Sequence, residues 1–108
     1  MVRYKVSVSD EAKETLRNIY GWLKENESVS IAEKVKGGLL DEIAALSQFP
    51  DRYGIVQEIK NDQVVFRRIL KWAYKIIFVI DEEGLEVLVV DITHAKQSPE
   101  RLQEKFGN

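Results

Sequence analysis

Residues 66–99, FRRILKWAYKIIFVIDEEGLEVLVVDITHAKQSP, decide the fold of this chain. Between Ala73 and Ile80 every residue except Ala73 and Lys75 is β-branched or aromatic, and LEVLVVDI repeats that composition after Asp81-Glu82-Glu83-Gly84. Side chains of this kind fit a pleated, half-buried surface, and an acidic run closed by glycine is turn chemistry. Ala73–Ile80 and Leu85–Thr93 are therefore expected to pair as an antiparallel hairpin. Upstream, Val64–Leu70 reads as another strand, with Lys71-Trp72 turning it into the first strand of the hairpin. Basic, aromatic and imidazole groups sit at the ends of these strands, as they would on a binding or catalytic face built on a sheet.

Working toward the N-terminus, Asp51–Gln63 is polar and carries turn signals at Tyr53-Gly54 and Asn61-Asp62, so a loop is expected, with a short strand at Ile55–Ile59. Before it, Ile31, Val35, Leu39, Ile43 and Leu46 recur at helical spacing, and Pro50 ends that helix. Ser30-Ile31-Ala32-Glu33 has the form of a capping box at its start. Gly37-Gly38 inside this helix costs about 1 kcal/mol per glycine against alanine, which predicts a close approach there, with the preceding helix as the expected neighbour. That preceding helix begins at Ser9, an N-cap followed by Asp10 and Glu11, and its apolar stripe is Ala12, Leu16, Ile19 or Tyr20, and Leu23. Val2, Tyr4, Val6 and Val8 alternate with polar residues and form a first strand. At the other end, Ser98-Pro99-Glu100 starts a short helix with Leu102 and Phe106 on its apolar edge.

The element order is thus β-α-α-β-β-β with a short C-terminal helix. It defines an α+β domain spanning residues 1–108, an antiparallel sheet packed against a two-helix hairpin. At 108 residues the chain buries about two-thirds of its unfolded surface without a staple. The absence of cysteine removes disulfides, thiolate nucleophiles and Cys-ligated zinc, and one histidine makes no metal cluster. Neither a metal nor a cofactor is expected. The longest uninterrupted apolar run, Ile76–Ile80, is too short to span a bilayer, and VRYKVSVS is no export signal, so a cytoplasmic location without a membrane partner is expected. Net charge is −2, yet residues 60–75 hold five basic residues (Lys60, Arg67, Arg68, Lys71 and Lys75) against Asp62, which makes that segment +4 and the remainder −6. Such asymmetry steers an anionic partner to one face; solvated strand edges are the plainer reading.

FRRILKWAYKIIFVI and the ending DITHAKQSPERL, together with this element order, resemble the RelE/ParE superfamily of toxins from bacterial type II toxin–antitoxin modules, and the likeness covers nearly the whole chain. The long helical hairpin and the His94-x-Lys96-Gln97-x-Pro99 ending are more similar to the ParE, or plasmid-stabilisation, branch than to RelE. The resemblance implies a growth-inhibiting toxin that binds DNA gyrase, catalyses no reaction of its own and is neutralised by a cognate antitoxin. The alternatives are a RelE-like endoribonuclease that cuts messenger RNA on the ribosome and a non-toxic interaction domain. RNA cleavage needs a base for the 2′-hydroxyl, a cation for the phosphorane and an acid for the leaving oxygen. On the RelE-like reading His94 serves as base or acid, Arg67 or Arg68 together with Lys96 stabilises the phosphate, and Tyr74 stacks or transfers a proton.

Each candidate also has a structural reading. Arg67 and Arg68 are adjacent on a strand and cannot share a face. If Phe66 points into the helix-covered core, Arg67 is the exposed one. Tyr74 shares its parity with Ile76, Phe78 and Ile80, so its ring is expected in the core. His94 is as readily a hydrogen-bonded surface group as a functional one. For a target, the candidate contacts are Arg67, Arg68, Lys71, Trp72, His94 and Lys96. For the antitoxin they are Tyr20, Trp22 and Leu23 on the hairpin, where Trp22 lies off the apolar stripe and is expected to be exposed.

Overall fold

The computed structural model describes residues 2–96 and 99–108. Strand β1 (Lys5–Val8) leads into helix α1 (Asp10–Asn26) and helix α2 (Val29–Ala44). After two 3₁₀ turns come β2 (Arg67–Lys71), β3 (Tyr74–Asp81), β4 (Glu86–His94) and α3 (Pro99–Phe106). The expected α+β order is present. Ser9 caps α1 as read, its hydroxyl accepting from the Ala12 N–H at 3.1 Å. The cap of α2 is Ser28 rather than Ser30, its hydroxyl accepting from the Ile31 N–H at 3.0 Å. Glu33 does not reach back to close a capping box; its carboxylate accepts the Tyr20 hydroxyl at 2.8 Å and ties α2 to α1. With the start shifted two residues, Ala32 takes the fully buried position and Ile31 is exposed.

The four-stranded sheet runs β1-β4-β3-β2. β2, β3 and β4 are antiparallel neighbours, whereas β1 joins β4 in parallel from Lys5 opposite Glu86 to Val8 opposite Val89, so the sheet is mixed. Local alternation makes β1 a strand but holds no information about its partner. The expected strand at 55–59 reduces to one antiparallel bridge between Ile55 and Arg67, and β2 starts at Arg67, later than Val64.

Both faces of the sheet are covered. The hairpin packs Ala12, Leu39, Ile43 and Leu46 onto Ile69, Ile76, Phe78, Val87, Val89 and Ile92. On the other face α3 and the 56–66 segment bury Val56, Ile59, Phe66 and Leu102 against Ile77. Phe66 therefore faces α3 and stacks 5.1 Å from Phe106, so the condition that would have exposed Arg67 is not met. Ser98, expected as the cap of α3, and Gln97 lie outside the described residues.

Gly38 is where the close approach occurs, and the neighbour is Trp72, not α1. A Cβ on Gly38 would overlap the indole ring, with Cζ3 only 2.6 Å away, whereas Gly37 has open space. Trp72 reaches this position from the β2–β3 turn with a left-handed φ of 52°.

Candidate functional site

β4 holds its chemistry in place through a bulge. Val87 and Val89 face the hairpin, the register shifts opposite Ile77 and Phe78, and Ile92 then faces the hairpin again. One extra residue reverses the parity of everything after it. His94 is thereby placed on the side of Tyr74, its partner across β3 and β4, with the two rings edge to face at 6.1 Å. The trace in the sequence is the three-residue step from Val89 to Ile92, where alternation demands two or four.

Around this pair a cleft of about 660 Å³ opens between α1, the last residues of β4 and α3. Glu11, Thr15 and Ile19 form one wall, Arg101 and Lys105 another, and Asp91 through His94, Tyr74 and Lys96 complete it. A smaller cavity of about 400 Å³ continues from it past Tyr74 and His94 to the exposed Trp22. His94, Tyr74 and Lys96 are thus brought together, as the RNA-cleaving arrangement would require. The His94 Nδ1 accepts the Lys96 backbone N–H at 3.3 Å. That bond ties the imidazole to the backbone just after β4.

Arg67 is elsewhere. It pairs with Phe78, four residues along β2 from the Lys71 that faces Tyr74, which at the rise of a strand is about 14 Å. Its guanidinium donates to the Tyr53 and Asp51 carbonyls at 2.6 and 3.1 Å, and that of Arg68 donates to the Ile55 carbonyl at 2.9 Å. Both arginines fasten the 51–55 segment to the sheet edge. Lys71 lies 3.7 Å from Glu42 and over the Trp72 ring at 4.7 Å, and Lys75 is buried. The basic run at 60–75 is therefore spread over the sheet and its edge and does not form one patch.

Sequence reasoning passed over the most buried charge. Asp91, 3% exposed, sits in the cleft with the Lys105 ammonium 3.3 Å from Oδ1, and the same ammonium pairs with Glu11. Desolvation raises the Asp91 pKa, against the opposing pull of Lys105 and of the Ile92 N–H. Partial burial works against the Lys105 ammonium, but the hydrogen bond to Glu11 and the neighbouring Asp91 outweigh it, and its pKa is raised. A lone aspartate in the apolar run VLVVDIT was the available signal, since a buried carboxylate requires a partner.

Across the molecule, the outer face of the hairpin carries a second groove of about 460 Å³. Leu16, Tyr20 and Leu40 form an apolar floor, and Lys13, Arg17 and Lys36 line it with positive charge. The three residues expected at an antitoxin contact separate here. Tyr20 is in this groove, Trp22 is at the other cavity, and Leu23 is buried in the core.

A family model described as the ParE toxin of the type II toxin–antitoxin system, parDE, matches residues 6–99. The chain belongs to this family. Solved structures agree with ParE membership at the level of fold. The chromosomal ParDE toxin–antitoxin system of P. aeruginosa superposes with a TM-score of 0.70 at 16% identity, covering 89% of this chain and 100% of that one. The archaeal RelE–RelB complex of Pyrococcus horikoshii gives 0.61 at 10% identity, covering 91% and 100%. A free mutant form of the E. coli toxin RelE gives 0.57 at 13% identity, covering 95% and 96%. No curated protein matches the sequence. Among the described residues of this ParE-family chain, no helix is long and apolar enough to cross a membrane and no acidic, histidine or cysteine group could hold a metal.

Proposed function

We propose that this ParE-family toxin acts by binding, blocking DNA gyrase without a reaction of its own, and that a cognate antitoxin silences it from the groove on the hairpin. The observation that supports the first half is the match of the ParE toxin family model over residues 6–99. Of the residues a ribonuclease would use, Arg67 stands apart, about 14 Å from the His94 end of the sheet, where its Nη1 donates to two carbonyls. Resemblance to the P. aeruginosa ParDE system supports the partnership with an antitoxin.

The test is direct. Inducing the chain without its partner should halt replication with DNA damage, and the purified protein should inhibit supercoiling by gyrase. Rapid translation arrest with cleaved messenger would instead establish the ribonuclease, and unimpaired growth would establish an interaction domain.

For the antitoxin, the groove of Leu16, Tyr20 and Leu40 rimmed by three cations fits an acidic amphipathic helix. Tyr20→Ser removes the aromatic floor and is expected to weaken antitoxin binding about tenfold or more, as truncation of an aromatic anchor does. Unchanged affinity by calorimetry would place the antitoxin elsewhere.

A further inference from the structure

We propose that residues 63–66 are a strap with two positions: the end of α3 holds it off β3, and once released it closes as a further rung of the ladder, Val65 pairing with Ile80. Backbone parity makes Ile80 the place. The Lys5 N–H donates to the Leu85 carbonyl and the Ser9 N–H to the Val89 carbonyl, so Leu85, Val87 and Val89 face β1, while Glu86 and Leu88 face β3. Their partners Asp81 and Val79 therefore face β4, and Ile80 turns its N–H and carbonyl toward β2. On β2 the Arg68 N–H donates to the Gly54 carbonyl at 3.0 Å and the Phe66 carbonyl accepts from the Val56 N–H at 2.8 Å. Phe66 and Arg68 thus face the 51–56 segment, and Arg67, with Val65 by the same alternation, faces β3. The ladder nevertheless stops at Arg67 opposite Phe78. One rung on, no hydrogen bond joins Val65 to Ile80, and none from a described residue on the β2 side reaches either backbone group of Ile80.

A cavity of about 520 Å³ lies between the strap and the end of β3, lined by Gln63, Val64 and Val65 on one side and by Val79, Ile80 and Glu82 on the other. Val65 is 54% exposed there, although a β-branched side chain gains from a cross-strand neighbour. What draws the strap aside is a set of hydrogen bonds to α3. The Asn61 carboxamide donates to the Phe106 carbonyl at 2.8 Å, and its oxygen accepts from the Gln63 and Val64 N–H groups at 2.9 and 3.0 Å, which turns the chain just before Val65. The Lys60 N–H donates to the Gln103 side-chain oxygen at 2.6 Å, and the Asn108 N–H to the Lys60 carbonyl at 2.9 Å. The Asp62 N–H adds a bond to the Asn108 side-chain oxygen at 3.2 Å. Gly107 permits the fold-back that delivers Asn108: its N–H donates to the Gln103 carbonyl at 2.8 Å, and a Cβ there would stand 2.6 Å from that carbonyl oxygen. These bonds outnumber the two that a Val65–Ile80 rung would add, so the strap stays open while α3 is docked. The length of β2 is thereby coupled to the end of α3, on the face of the sheet away from the hairpin.

Amide hydrogen exchange of the full chain, followed by NMR, reads both positions. In the unsubstituted protein the Ile80 amide should exchange about tenfold or more faster than that of Phe78, which is in the ladder with Arg67. Asn61→Ala removes the carboxamide, and Gly107→Ala displaces Asn108 without touching the strap. Either should slow Ile80 by about tenfold and bring a nuclear Overhauser effect between the Val65 and Ile80 amides. Adding Val65→Pro, which leaves no N–H to give, should return Ile80 to its fast rate in both backgrounds. Slow Ile80 exchange in the unsubstituted chain would overturn the proposal. So would an Ile80 rate that falls in neither variant, or a fall that survives Val65→Pro.

Discussion

Lys105 holds Glu11 and the buried Asp91 at once, and so joins the last helix to the first helix and to β4. Burial makes ionisation of Asp91 costly: its pKa is raised, so stability tied to the protonated form declines as pH climbs through the folded pKa. Lys105 is raised above 10.5, so its contribution is complete below that value and is lost as pH rises through the folded pKa. Lys105→Met leaves Asp91 buried without its counter-ion and is expected to cost about 3 kcal/mol at neutral pH. Acidification that protonates Asp91 should shrink that loss, and urea unfolding at neutral and acidic pH measures it; an equal deficit at both would contradict the pairing. Arg67→Met should cost about 1.5–3 kcal/mol, because the carbonyls of Asp51 and Tyr53 lose a charged donor. Residue type drew attention to His94 and Arg67 in the sequence. What each does depends on a bulge and on a carbonyl 14 or 16 positions away, and neither is written locally.

Among the elements, the contact of the β2–β3 turn with α2 gives the sharpest expectation. Gly38→Ala should destabilise by about 1–2 kcal/mol, since overlap with the Trp72 ring exceeds the gain in helix propensity. In a Trp72→Ala background the same change should stabilise by about 1 kcal/mol, because only the propensity remains. A double-mutant cycle on thermal unfolding reads the change of sign, and a stabilising Gly38→Ala in the native background would rule the contact out. The glycine pair announced a close approach in the sequence, but its neighbour is 34 positions downstream and could not be inferred from spacing. Signals confined to one element were readable: the Ser9 cap, both helical stripes and the hairpin at Asp81–Gly84. Gly84 serves that turn through space, because a Cβ there would stand 2.7 Å from the Asp81 carboxylate, and Leu85 takes the left-handed position at φ 51°. The parallel docking of β1 and the Ser28 cap were less legible. The first depends on a distant strand, and Ser28 and Ser30 are equivalent by residue type.

On the scale of the whole molecule, the sheet is a partition between two cores, and the smaller one depends on the last ten residues. Leu102 is fully buried against Ile77, while the Asn108 and Lys60 backbones bond at 2.9 Å. Leu102→Ala is therefore expected to cost about 2–5 kcal/mol, lowering the urea midpoint without displacing the hairpin groove. A change below about 1 kcal/mol would mean that α3 is dispensable to the fold. The parallel pairing of β1 with β4 carries a consequence for synthesis. Ser9 and Val90, which meet where that pairing ends, are 81 positions apart. At about 5–20 residues per second, the ribosome makes β1 several seconds before the strand that must receive it. Until β4 emerges the first strand has no sheet to join, so a chain truncated before residue 86 cannot assemble the fold. The fold of this chain therefore forms only after β4 has left the ribosome.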